Sequence, residues 1–275
     1  VRIPGLFALT LVLSLPIRAA AVANLEDQLR KDYAETEQLL RHSYGSDTLK
    51  FDSNGNPKNH EKQGPWTMLS GVIVDSLQLK PGRLELHGHR RLLVFNNQDK
   101  NLRSIKLDEK FWIEIETHQG PDQAAQLAAA LANVFITPNN LVSVVPEYWQ
   151  DYIARFTGKP AEGSPCQDST VKEIESDSAA AGKVSEGIVE GIKIYDVSPT
   201  YSAIARSNRV QGDLALRAVI DETGTVSRVC ITKALGAGID DMMVETVRQW
   251  KYRPYTLNGQ PIVVQTTIKA SFGIR

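Results

Sequence analysis

Ile262, Val264, Thr266, Ile268, Ala270, Phe272 and Ile274 occupy every second position of the stretch PIVVQTTIKASFGI. Side chains of a strand point to opposite faces with a period of two, so this alternation demands a long strand with one apolar face. The chain must therefore end in a sheet. Upstream, GDLALRAVI places Leu214, Leu216, Ala218 and Ile220 on one face, and TVSRVCIT reads as its partner strand. Asp221-Glu222-Thr223-Gly224 between them is a tight reversal. GAGIDDMMVETVRQW spaces Ile239, Met242, Met243, Val247 and Trp250 as one helix face. Asp240 and Asp241 fall in its first turn, where the helix dipole favours anions. A short helical candidate, YSAIARSNR, precedes the first strand, which gives the order β-β-α-β.

The connector RQWKYRPYTLNGQPI joins the helix to the last strand. Trp250 closes the apolar face and is read as a core residue. Pro254 forbids continuation of the helix and biases Arg253 to an extended conformation. Asn258-Gly259 supplies a turn.

The rest of the chain reads as an α+β protein with three further parts. Arg2, an apolar run at residues 6–15 and the small-residue pattern Ala21-Val22-Ala23 compose a signal peptide, with cleavage expected after Ala23 and secretion of the chain. The run is roughly 10–15 residues, short of the about 20 that a spanning helix needs. Residues 24–156 read as a β-rich α+β domain of unknown function. NLEDQLRKDYAETEQLLRHSY is expected to be one amphipathic helix, and DTLKFD, WTMLSGVIVDSLQL, RLELHGHRRLLVFNN and FWIEIETH to be strands. PDQAAQLAAALANVFI and VPEYWQDYIARF read as helices. Residues 157–190 are rich in Ser, Gly, Ala, Glu and Pro and poor in large apolar residues, the composition of a flexible linker. Cys166 and Cys230 could be joined or free, since sequence does not fix the geometry a disulfide needs.

Chemical sites are scarce. The formal net charge of −1 points to neither nucleic acid nor an anionic membrane. Glu85, His87 and His89 share a strand face, but no third strong ligand beside the two histidines is placed by spacing, and a solvated face explains them. DSNGNPKNHEKQ starts like a calcium loop, then has Pro57 at the glycine position and Gln63 at the bidentate glutamate position, so a strand reversal is the simpler reading. There is no phosphate-binding glycine loop, no Gly-x-Ser-x-Gly and no His-Glu-x-x-His. The expectation is no enzyme, no cofactor, no metal, no nucleic acid and no small-molecule substrate.

One set of motifs does converge. In order, the chain has Pro199-x-Tyr201, an arginine-containing short helix, Gly212 before the first strand, Asp221-x-x-Gly224, Asp240-Asp241 at the start of the main helix, Trp250-Lys251-Tyr252-x-Pro254, and Gly259-x-Pro261 before the alternating strand. With this order and spacing, residues 191–275 resemble the TonB carboxy-terminal domain. The resemblance implies a periplasmic module that grips the TonB box, a short extended segment of an outer-membrane transporter, by strand addition to a sheet edge. It places the pairing strand over residues 262–272, with Ile262, Val263, Val264, Gln265, Thr266 and Ile268 as contacts, and sets Ser198, Pro199, Thr200 and Tyr201 beside the bound segment. The family's membrane anchor and Pro-rich rod are absent from the pattern, since the linker holds only Pro160 and Pro165, and Tyr201-Ser202 replaces the usual Tyr-Pro. A TonB-like adaptor binding a transporter or another envelope protein fits better than a motor-coupled transducer. The alternative is an envelope scaffold, in which the exposed edge makes a homodimer.

Overall fold

The computed structural model describes residues 14–59, 62–158, 171–174, 188–189 and 191–273. In chain order the elements are α1 (Ser14–Tyr33), β1 (Glu37–Leu39), β2 (Thr48–Phe51), α2 (Trp66–Leu69), β3 (Gly71–Lys80), β4 (Arg83–Asn96), β5 (Asn101–Glu116), α3 (Gln123–Val134) and α4 (Glu147–Phe156). There follow β6 (Lys172–Glu173), β7 (Ile188–Val189), β8 (Lys193–Tyr195), α5 (Ala203–Ser207), β9 (Gly212–Ile220), β10 (Val226–Lys233), α6 (Ile239–Arg248), β11 (Lys251–Tyr252), β12 (Thr256–Leu257), β13 (Gln260–Pro261) and β14 (Val264–Phe272). The class is α+β, with an N-terminal sheet and a C-terminal β-β-α-β unit.

The N-terminal sheet has the order β1-β3-β4-β5-β2. Its centre is an antiparallel meander, turned at Gly82, and β2 joins parallel to β5. The Ala-rich α3 buries Leu127, Leu131 and Val134 with Val72, Val74, Leu84 and Ile113 of the sheet, and α1 adds Leu29. Arg90 is buried in β4 and donates to the carbonyls of Tyr44 and Ser46 at 2.9 and 2.8 Å, which fastens the loop before β2. Two sequence expectations need correction. The amphipathic helix stops at Tyr33: Glu35 takes a left-handed φ of 59°, and residues 37–39 pair with β3 instead. Trp66–Leu69 is a helical turn, not the start of a strand, and Trp66 points into the core.

The C-terminal sheet has the order β10-β9-β14-β6. β9 pairs antiparallel with both β10 and β14. The apolar alternation behaves as read: Val264, Ile268 and Phe272 join Leu214, Leu216, Ile220, Met243 and Val247 in one core, although Ile274 lies outside the described residues. β6 and β7 fall inside the stretch whose composition read as a flexible linker. β6 pairs with β14 and β7 with β12, so residues 172–173 and 188–189 become strands through backbone pairing, not through apolar side chains of their own.

The larger core does not respect the division suggested by composition. α4 packs on the C-terminal sheet, and Trp149 is fully buried among Trp66, Phe95 and Tyr152, with ring centroids 5.2, 5.5 and 5.9 Å away. The end of β4 meets the corner before α6. Phe95 N–H donates to Leu235 C=O at 3.0 Å, and Ala237 N–H donates to Leu93 C=O at 2.8 Å. This corner needs Gly236, whose φ is 92° and where a Cβ would stand 2.3 Å from the Leu93 carbonyl oxygen. Replacing Gly236 by Ala is therefore expected to cost about 3 kcal/mol or more, through strain and lost docking, read as a lower urea midpoint.

Candidate functional site

The site is built from the connector after α6 outward. Trp250 lies in the core, and its indole N–H donates to Val197 C=O at 3.0 Å. Lys193 Nζ sits 3.9 Å above the Trp250 ring. These contacts lay residues 193–197 along the end of the helix and deliver the entry segment to the sheet. Tyr201 then donates its hydroxyl to Val210 C=O and meets Phe272 edge-on, at 5.6 Å between ring centroids. Arg206 lies 5.4 Å from the Tyr201 ring centroid. After Trp250, β11 pairs with β8, Asn258 and Gly259 turn β12 into β13 with φ of 52° and 79°, and β14 begins at Val264.

β14 has two edges. One is paired throughout with β9, from Val264–Ile220 to Phe272–Gly212. On the other edge Gln265 C=O accepts from Ile174 N–H at 2.8 Å. Along a strand, the N–H and C=O of one residue point the same way and alternate between neighbours. Gln265, Thr267, Lys269 and Ser271 thus turn their backbone groups outward, while Val264, Thr266, Ile268 and Ala270 bond β9. β6 pairs with Val264 and Gln265 only. From Thr267 to Phe272 no strand of the described residues pairs with the outer edge. Lys269 is exposed there, a charge of the kind that discourages indiscriminate edge pairing.

The sequence-derived residues divide accordingly. Val264, Thr266 and Ile268 are in the strand with buried side chains. Gln265 is in the strand and presents its backbone outward. Ile262 and Val263 precede the strand, and Ile262 N–H donates to Tyr255 C=O at 2.9 Å. Tyr201 reaches the Phe272 end of β14, while Ser198, Pro199 and Thr200 form an irregular lead-in, with Ser198 and Thr200 exposed. Thr267, Lys269 and Ser271 lie within the expected pairing strand but were not among its named contacts. The alternation contained them as the polar face, but which backbone groups face outward depends on which neighbour β9 takes. Arg217 and Glu173, 3.8 Å apart, were missed, because Glu173 lies in a stretch with no strand signal.

Residues 197–274 match the family described as Gram-negative bacterial TonB protein C-terminal. The C-terminal unit is a TonB-like domain. Among solved structures it is similar to the solution NMR structure of the Pseudomonas aeruginosa TonB CTD, at 18% identity and a TM-score of 0.28, covering 33% of this chain and 89% of that one. No curated protein matches. In this TonB-like domain the Asp221 carboxylate closes the turn by accepting from Thr223 N–H and Thr225 N–H at 2.9 and 3.0 Å. Cys230, on β10, is disulfide-bonded, and Cys166, the other cysteine of the sequence, lies outside the described residues.

The other chemical candidates have local partners. His87 lies 3.7 Å from Glu85, and His89 pairs with Asp75. Lys80 and Arg83 hold Glu85 ionised down to about 2. Among the described residues no three His, Cys, Asp or Glu side chains are grouped to hold a metal. Asp52 closes its loop by accepting from Asn54 N–H and Asn56 N–H. The acidic pair of the TonB domain has a role beyond the helix dipole. Asp240 is fully buried and accepts from Leu235 N–H at 2.9 Å and from Gly236 N–H. Asp241 accepts from Tyr148 Oη at 2.8 Å and Trp149 Nε1 at 3.1 Å, both on α4. Burial pushes Asp240 up to about 7, against the two backbone donors, and also raises Asp241. The folded state therefore keeps a proton that the unfolded chain loses near pH 4. Stability from Asp240 is fully present below about pH 4 and is lost as pH rises through about 7. The carboxylates held below their usual range, Glu85, Asp52, Asp122, Asp213 and Asp221, act oppositely and only under acidic conditions. The melting temperature should fall from pH 5 to pH 8, and Asp240→Asn should flatten that slope while lowering stability by about 1–3 kcal/mol, through the acceptor lost at one backbone N–H.

Proposed function

We propose that this protein is a periplasmic, TonB-like adaptor that binds an extended segment of an outer-membrane transporter by adding it as a strand to the outer edge of β14. The observation that carries this reading is the row of outward backbone groups at Thr267, Lys269 and Ser271, which no described strand pairs. Such a row recognises a peptide by its backbone and makes few demands on its sequence. The TonB family supports the partner class and a Gram-negative envelope location. Tyr201 and Phe272 mark one end of this edge, and Val264 and Gln265 mark the other.

In this reading residues 1–23 are a signal, residues 24–156 form the partner domain on which residues 191–275 dock, and residues 157–190 connect them. Binding, not catalysis, is the proposed activity. The docking through α4 leaves β14 at the far side of the sheet, with β9 and β10 between, so the N-terminal domain can hold the TonB domain without pairing with its binding edge.

The register selects the test. Val264 turns its N–H toward β9, so Pro there would damage the sheet itself. Lys269 turns its N–H outward, so Lys269→Pro removes one edge donor and leaves the β9 pairing intact. The full chain and this variant, matched by circular dichroism, should be used to capture proteins from a Gram-negative outer-membrane extract. Recovery of a transporter by the wild type with a loss of about tenfold in the variant is expected. Equal recovery by both would sink strand addition, and self-association of the wild type in sedimentation with no transporter would favour the scaffold reading.

A further inference from the structure

The strand already seated on the binding edge shows which chemistry that edge selects. Residues 172 and 173 run parallel to β14, opposite Val264 and Gln265. Ile174 extends the pairing with its N–H bond to Gln265 C=O. Glu173 shares a row with Gln265 and Val219, on the sheet face away from α6. Arg217 stands one same-face row along, beside Thr267 and Cys230, and its guanidinium reaches back to within 3.8 Å of the Glu173 carboxylate. Ile174, next in sequence, points the other way and packs against the main core. Two residue-specific contacts thus accompany the backbone pairing: an acid read by a cation on one face, and an aliphatic side chain seated on the other.

We infer that residues 171–174 are an internal surrogate for the partner's strand, and that the partner is an extended segment, parallel to β14, with an acidic residue followed by an aliphatic one and with Arg217 recognising the acid. This rests on the strand-addition reading and deepens it. The surrogate is built to be displaced. β6 has two residues against the nine of β14, and it leaves the outward groups of Thr267, Lys269 and Ser271 unused. A longer incoming segment gains those backbone bonds, which the surrogate does not make. Arg217 sets a charge preference that a bare edge lacks, since charge complementarity across an interface acts on selection more than on raw affinity. The surrogate covers the edge of β14 beside the buried Gln265 until such a segment arrives, which blunts pairing with other strands.

The test uses a fluorescein-labelled peptide of sequence DSTVKEIES, which copies residues 168–176, and full chains, with affinity read by anisotropy. Ile174→Pro removes the N–H that pairs with Gln265 and should tighten peptide binding about tenfold over the wild type. Glu173→Lys, which opposes Arg217 with a like charge, is the second releasing variant and should act in the same direction. In the Ile174→Pro background, Arg217→Glu should weaken the peptide about tenfold, and a peptide with Lys at the Glu173 position should recover it. Equal binding by the wild type and both releasing variants overturns the surrogate, as does peptide binding indifferent to Arg217. So does a peptide that binds none of the chains. In each of these cases transporter capture that Lys269→Pro abolishes would leave strand addition standing, whereas capture indifferent to Lys269→Pro removes both.

Discussion

The docking of the corner at residues 235–241 onto the N-terminal sheet is the constraint from which the other features of this molecule follow. Asp240 folds the corner by taking the N–H groups of Leu235 and Gly236, and Asp241 binds the corner to α4 through Tyr148 and Trp149. The backbone of residues 93–95 pairs with residues 235–237, as a strand does, though over one bridge only. Two carboxylates with little access to water would be costly alone. Here each is met by two donors, and in the folded state Asp240 can remain protonated at a pH where an exposed aspartate could not. The junction is therefore both specific and sensitive to acidity.

Through that junction one core serves both halves. Trp149 and Tyr152 of α4 insert between the end of β4 and the C-terminal sheet, so α4 belongs in sequence to one half and in packing to the other. Such aromatic burial is the largest apolar contribution available per residue. It also orients the C-terminal sheet. β10 lies toward α4 and α6, and β14 is two strands away with its outer edge directed elsewhere. The outer edge of β14 is thereby kept clear of the N-terminal sheet, and the described segment that does reach it comes from the connecting stretch, at residues 172–174.

Much of this was legible from particular residues. The alternation at residues 264–272, the Asp221 reversal, the face of α6 and the core position of Trp250 could be read because each is a local pattern whose period or turn chemistry names the structure. The end of α1 was harder, because a helical spacing continued past Glu35 and only pairing with β3 turned residues 37–39 into a strand. Trp66 was read in a strand run for the same reason. β6 was invisible, since two polar residues carry no periodicity and become a strand only when β14 offers them an edge. For the candidate site, sequence named the strand and the entry tyrosine, but Arg217 and Glu173 had no local signal, and the alternation that holds Thr267, Lys269 and Ser271 did not say which way their backbone groups face.

What the sequence determined by itself is the repertoire: an α+β chain, a β-β-α-β unit with a long final strand, and a motif order similar to TonB carboxy-terminal domains. Those follow from periodicity, capping and turn residues, all of which act over a few neighbours. Only the tertiary structure decided which backbone groups of β14 face outward, which segment meets them, and where the two buried aspartates find their donors. Apart from the donors of Asp240, which are four and five residues away, those are contacts between residues tens of positions apart, and their geometry depends on how the sheets pack, not on any pattern within one segment.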